Sequence, residues 1–268
     1  MTPDAVWHVD GDVVVPTELA RGPWSRHAQH GGASAALLAG LLERFDRGPA
    51  DFTARLSVDF MRPVPLAPLR VERVTVRPGK KVQIVQGSLL ADDIEVVRAT
   101  ALRIRTLDER YEDVSSDGRV DALPPPTDPQ PLSLKIVADR AIGFWDAVEV
   151  STAFGTFGVP SARTAVWFRL RVPVIEGEAP SPLQRVAAVA DFANGLGMDV
   201  SRDRYTFINP DLTVVMHRAP VGEWVALDGA SFPEREGIGV AESELHDERG
   251  RIGRALQTII LDRREVSG

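Results

Sequence analysis

A chain of 268 residues with 44% hydrophobic content has enough apolar material for one large domain or two of about 130 residues each. It has no cysteine, which excludes disulfides, thiol nucleophiles and thiolate metal sites. Its net charge of −7 without a Lys/Arg block argues against nucleic acid or an anionic membrane as the main partner. The start of the chain lacks the basic residues and apolar run of a secretory signal, and the longest apolar run, Ala33 to Leu42, is too short to span a bilayer; a soluble, cytoplasmic protein without membrane insertion is expected.

In chain order, Trp7 to Asp10 and Val13 to Pro16 read as a hairpin turning at Gly11, followed by a loop from Arg21 to His30. Gly31 and Gly32 open a helix running to Phe45 that is apolar on most sides and so must be enclosed by protein. Strands follow over Thr53–Arg62, Leu69–Val76, Val82–Leu90 and Ile94–Thr106, with turns at Pro63 to Pro68, Pro78-Gly79 and Asp92-Asp93, which makes an antiparallel meander. From 107 to 139 the composition shifts to Asp, Ser and a proline cluster between Pro124 and Pro131, as expected of a semi-rigid linker over the surface. The pattern then restarts with strands over Ile142–Val150 and Thr164–Val172, a second helix and a second run of strands. The units expected are therefore 1–106, a linker at 107–139, and 140–268.

The second helix has the better marked start. Ser181 is placed to cap it, Pro182 takes the first helical position and Gln184 completes a capping box. From Leu183 to Ala193 nearly every side chain is apolar, and the exception is Asp191. A buried carboxylate is costly unless it is hydrogen-bonded or used. Asp191 is therefore either an acid tied to nearby backbone at a helix end or a general base.

Sliding the sequence by 156 residues lays Leu56 to Arg62 on Leu212 to Arg218, and Glu95 to Ala99 on Arg251 to Ala255, without a gap. The same shift puts Gln257 on Ala101, Asn209 on Thr53 and Asp191 near Ala35. Only the second half carries an acid and two amides, as expected if one of two related sites does chemistry. Gln257 alternates with Gly253, Ala255 and Ile259 on a small-residue strand face suited to a closely packed helix, so it should point at that helix. A single such half leaves an exposed sheet edge and a poorly covered helix, and pairing two halves edge to edge removes both problems.

An enclosed helix with an antiparallel sheet, repeated in tandem, resembles the double hotdog fold of class α+β, in which each half is a long central helix wrapped by a curved sheet. More narrowly the chain resembles the acyl-CoA thioesterase II family and its thioesterase-like relatives. The resemblance is carried by His30-Gly31-Gly32, Val189-Ala190-Asp191, the segment Asn209 to Arg218, and Ala255-Leu256-Gln257. It implies an acyl-CoA substrate, no cofactor, and a water held and activated by Asp191, Gln257 and a hydroxyl residue at the start of the intervening strand. That last position falls on Asn209, where Thr or Ser is usual. Asparagine can still donate to and accept from a water, and Thr213 lies in the same segment as a source of hydroxyl. Asn209-Pro210 also reads simply as a turn opener.

Thioester hydrolysis needs a base for water and donors for the developing oxyanion, and little help for the acidic leaving thiol. The backbone N–H groups of Gly31 and Gly32, at the positive end of the first helix, are the nominated donors; the alternative is that the glycines only let the loop turn tightly. His30 reads as a hydrogen-bonding or packing neighbour. The five histidines, at 8, 27, 30, 217 and 246, show no metal-ligand spacing, and no P-loop or dinucleotide fingerprint is present. Arg62 and Arg218 read as structural strand ends, while Lys80, Lys81, Arg103 and Arg105 are candidate phosphate contacts. Two further readings stay open: a non-catalytic acyl-CoA or lipid-binding protein, and a hydratase or dehydratase, which should show an Asp and a His on one loop-helix segment, a pair absent here. The outer face of a continuous sheet is expected to serve homo-oligomerisation.

Overall fold

The computed structural model describes residues 3–108, 111, 122–132, 141–198, 200 and 204–264. The hairpin forms as expected from β1 (Trp7–Asp10) and β2 (Val13–Pro16), with Gly11 in the left-handed conformation that its turn requires. Helix α1 (Gly31–Arg44) is buried from Gly32 to Leu42, and each fully buried leucine there contributes about 2 kcal/mol of hydrophobic stabilisation. The meander is β3 (Phe52–Phe60), β4 (Leu69–Arg77), β5 (Val82–Ala91) and β6 (Ile94–Ile104).

Part of the proline-rich segment is tied to the sheet: β7 (Gln130–Pro131) pairs with β8 (Val148–Phe154), and Trp167 donates its indole N–H to the Pro124 carbonyl at 2.7 Å. The strand expected from Ile142 begins only at Val148, because Asp146 accepts the Gly143 N–H at 3.0 Å and folds Phe144–Ala147 into a 3₁₀ turn. The chain continues through β9 (Thr164–Leu170), α2 (Pro182–Ala190), β10 (Tyr205–Ile208), β11 (Asp211–Met216), β12 (Val225–Pro233), β13 (Ile238–Asp247) and β14 (Gly250–Arg263).

Among the described residues these strands form one sheet in the order β1-β2-β4-β5-β6-β3-β11-β14-β13-β12-β9-β8-β7, with β10 paired to β14. The two meanders repeat at one offset, since β4 and β12, and likewise β5 and β13, start and end at positions 156 apart. They join through β3 and β11, where Thr213 lies opposite Ser57, its own equivalent under the repeat. A local two-fold relation therefore runs between these two residues.

Both helices pack on the inner face of the sheet and against each other. Gly32 permits the contact, because a Cβ there would lie 2.6 Å from the Ala188 carbonyl oxygen. The capping box at α2 is present, with the Gln184 N–H on the Ser181 hydroxyl at 3.1 Å and the Ser181 N–H on Gln184 Oε1 at 3.0 Å. This helix is shorter than its apolar run suggests, and a 3₁₀ turn, Asp191–Gly195, takes over. Within this turn the Asn194 N–H donates to Gln257 Oε1 at 3.1 Å, which ties it to the last strand. Counted from their first residues, Gly31 and Pro182, the helices put Gly40 rather than Ala35 at the position of Asp191. The strands keep one offset because their turns have equal lengths, whereas the helices enter through unrelated loops.

Candidate active site

Asp191 stands where α2 gives way to the 3₁₀ turn, and its side chain is 3% exposed. Its Oδ2 accepts the Gly32 N–H at 2.7 Å and faces His30 Nδ1 at 2.9 Å, both from the start of α1. Its Oδ1 accepts from Asn209 Nδ2 at 2.8 Å and Gln257 Nε2 at 3.2 Å, both from the second half. Burial opposes ionisation of this carboxyl. The His30 ring, the Asn209 amide and the Gly32 N–H outweigh that cost and hold it below its ordinary 3.8, so it is an anion at neutral pH. The positive end of α1 acts in the same direction.

The Gly32 N–H also lies 3.1 Å from His30 Nδ1, but one ring nitrogen cannot both accept from that amide and donate to Asp191. The anionic oxygen is the stronger acceptor and the nearer one, so Nδ1 carries the proton and donates to Asp191. The His30 ring is fixed between Phe144 and Phe192, at centroid distances of 5.0 and 4.6 Å.

Gly31 is required by close approach. A Cβ there would sit 2.7 Å from Phe60 Cζ and 2.8 and 2.9 Å from the two Asp191 oxygens. Neither Gly31 nor Gly32 has positive φ, so the tight-turn explanation does not apply. Of the two nominated oxyanion donors, Gly32 is already committed to Asp191, whereas the Gly31 N–H takes no partner among the described residues.

Behind the carboxylate, Asn194 ties the amides together. Its Nδ2 donates to Asn209 Oδ1 at 3.2 Å and its N–H to Gln257 Oε1 at 3.1 Å, which fixes how both amides face Asp191. The sequence held a signal for Asn194, three residues beyond the acid at helical spacing. Thr213 is not brought to the site. Alternation turns Leu212, Val214 and Met216 inward and leaves Thr213 on the outer face, 3.5 Å from the Ser57 hydroxyl. Arg103, a candidate phosphate contact, is 1% exposed and donates to the Phe45 carbonyl and Gln83 Oε1, so it is structural.

Asp191, Asn194, Asn209, His30 and Gly31 line one side of a cavity of about 530 Å³ whose other walls include Trp24, Phe60, Phe157, Phe192 and Phe207. Gln257 supports Asp191 from outside it. The repeat places a cavity of about 250 Å³ at the related position, bounded by Glu43, Thr53, Pro182 and Met216, and there Gly40, Thr53 and Ala101 replace the acid and the two amides. Among the described residues no three His, Asp or Glu side chains gather as a metal site, and no helix is long and apolar enough to cross a membrane.

A repeated helix-and-meander unit in one continuous sheet, with a buried acid held by two amides of its own half and by the start of the other half's helix, defines a protein of the hot dog class. Residues 20–104 match the family model described as the acyl-CoA thioesterase N-terminal domain, and residues 119–261 the C-terminal domain. The second match alone spans more than half of the chain, which therefore belongs to the acyl-CoA thioesterase family. Among solved structures it is similar to a candidate thioesterase II from Thermobifida fusca YX, at 19% identity and TM-score 0.71 over 97% of this chain and 96% of that one. It is also similar to a conserved hot dog protein of unknown function from Alicyclobacillus acidocaldarius, at 19% identity and TM-score 0.66 over 98% of both chains. A third is the acyl-CoA thioesterase II from Mycobacterium marinum, at 14% identity and TM-score 0.64 over 96% and 95%. At these identities the likeness is one of fold. No curated protein matches the chain.

Proposed function

We propose that this protein hydrolyses acyl-CoA to free acid and coenzyme A, with Asp191 as the base for an attacking water. One observation carries the reading: an ionised carboxylate forms the wall of an aromatic-lined cavity and is held by amides that can transfer a donor to water. Entry of water from the cavity between Asp191 and Asn209 removes one donor from the carboxylate, which raises its basicity at the moment it is needed. The water proton passes to Asp191 as its oxygen adds to the thioester carbonyl. The charge developing on the carbonyl oxygen meets the Gly31 N–H at the positive end of α1. Collapse expels the thiolate, whose ordinary pKa of about 8.5 makes it a ready leaving group.

Thiol release measured across short, long and aromatic acyl-CoAs tests the reading. Asp191→Asn should lower kcat by about 10²-fold or more, and Gln257→Ala by about tenfold, since it orients rather than deprotonates. The same reading takes residues 1–106 and 140–268 as tandem hot dogs joined by 107–139, each helix central to its own sheet, in a cytoplasmic homo-oligomer without a cofactor.

Two observations favour other readings. Protein groups already occupy both Asp191 oxygens, as in a non-catalytic acyl-CoA binder. Such a protein would release no thiol and would bind acyl-CoA equally well in both variants. His30 and Asp191 also form across the halves the His–Asp pair that no single segment supplies, which suits a hydratase. Loss of enoyl absorbance without thiol release would identify that activity.

A further inference from the structure

We infer that Arg62 binds a phosphate of coenzyme A at the mouth of the Asp191 cavity, an inference that rests on the acyl-CoA reading above. The internal repeat makes the case. Arg62 and Arg218 are equivalent strand-end arginines, 156 residues apart. Arg218 is clamped: it donates through both terminal nitrogens to the buried Asp247, at 2.5 and 2.7 Å, and to the Gly250 carbonyl at 3.0 Å. Asp247 ends β13, and the residue ending β5 at the same position is Ala91. The first half therefore has the arginine without that carboxylate.

Arg62 is exposed, makes no side-chain hydrogen bond or ion pair among the described residues, and borders the cavity that Asp191 lines. Arg218 does not border the smaller, related cavity. Among the described residues Asp191 is the one carboxylate that lines the larger cavity, and Arg62 puts a positive charge at its rim in a chain of net charge −7. A guanidinium offers paired donors that match phosphate oxygens. The acyl carboxylate of a dicarboxylic thioester is the wrong partner, because it would have to enter the apolar interior beside the Asp191 anion. The phosphates of coenzyme A lie at the far end of the thiol arm from the thioester, so they fall outside when the carbonyl is at Asp191. Exposed Met61 and Ile208, which flank the same mouth, offer apolar surface to the arm between.

The test compares one acyl group carried on coenzyme A with the same group on N-acetylcysteamine, which lacks phosphate. In Arg62→Ala the ratio of kcat/KM for the two esters should fall about tenfold, through KM, and Arg62→Lys should recover part of it. An unchanged ratio would overturn the proposal. If the wild type hydrolyses neither ester, the thioesterase reading fails on its own, and titration calorimetry with free coenzyme A decides about Arg62. Binding weakened about tenfold in Arg62→Ala supports the phosphate site, and equal binding rejects it.

Discussion

Replacing Asp191 by asparagine keeps the shape of the side chain and removes one acceptor and the charge, so it tests the site and its electrostatics together. The wild-type carboxylate receives Gly32 N–H, His30 Nδ1–H, Asn209 Nδ2 and Gln257 Nε2, at 2.7, 2.9, 2.8 and 3.2 Å. The introduced amide can place its oxygen toward the first pair only, which points its own NH₂ at two further donors. Asn209 could turn its amide to accept, but its Oδ1 already receives Asn194 Nδ2 at 3.2 Å, and that bond would be lost. With each charged hydrogen bond worth about 1.5–3 kcal/mol and each stranded buried donor costing about 1–3 kcal/mol, the net loss should be about 2–4 kcal/mol. Urea denaturation at pH 7 measures it alongside thiol release. A depressed carboxyl pKa means the stabilisation is fully present above the ordinary value of 3.8 and disappears as pH falls through the folded-state value. The gap between wild type and variant should therefore be constant near neutrality and narrow in strong acid. A variant within about 0.5 kcal/mol of wild type at pH 7 would refute the four-donor description; unchanged kcat would refute the base.

Gly31→Ala gains at most about 1 kcal/mol of helix propensity, but its methyl group must displace Phe60 or the Asp191 carboxylate. Overpacking of about 1–3 kcal/mol wins, and both Tm and thiol release should fall; an active, more stable variant would contradict the close approach. Glu43, partly buried in the smaller cavity beside the Ser181 hydroxyl, has its carboxyl pushed up by burial. A raised carboxyl stabilises most below the ordinary value and loses that contribution as pH rises through the folded-state one. Glu43→Gln should consequently raise Tm at pH 7 and leave it unchanged near pH 4, and the reverse order would show that the arginines around it dominate. On the outer face, Val215, Phe232, Val240 and Leu256 are exposed on neighbouring strands of the second half. Light scattering at micromolar concentration should give a multiple of 29.2 kDa, and the single-chain mass would count against an oligomer.

What the sequence determined by itself is what depends on neighbours along the chain. Period-two alternation fixed the strands of the first meander to within one or two residues, and Ser181, Pro182 and Gln184 fixed the start of α2. Thr213 was offered to the site as a hydroxyl source, but its place between the inward Leu212 and Val214 turns it to the other face. The constant offset of 156 survived because the turns within each meander have equal lengths, and alternation with Gly253, Ala255 and Ile259 placed Gln257 on the inner face. Only tertiary structure decided the helix register, which put Gly40 rather than Ala35 opposite Asp191 in the repeat, and the division of labour between the two glycines. His30 and Gly32 lie far from Asp191 along the chain, 159 residues in the case of Gly32, and Gln257 lies 66 away. No spacing rule relates such residues. They meet because small side chains let α1 approach α2 to backbone contact at Ala188, and the carboxylate then holds the donors that this packing sets around it.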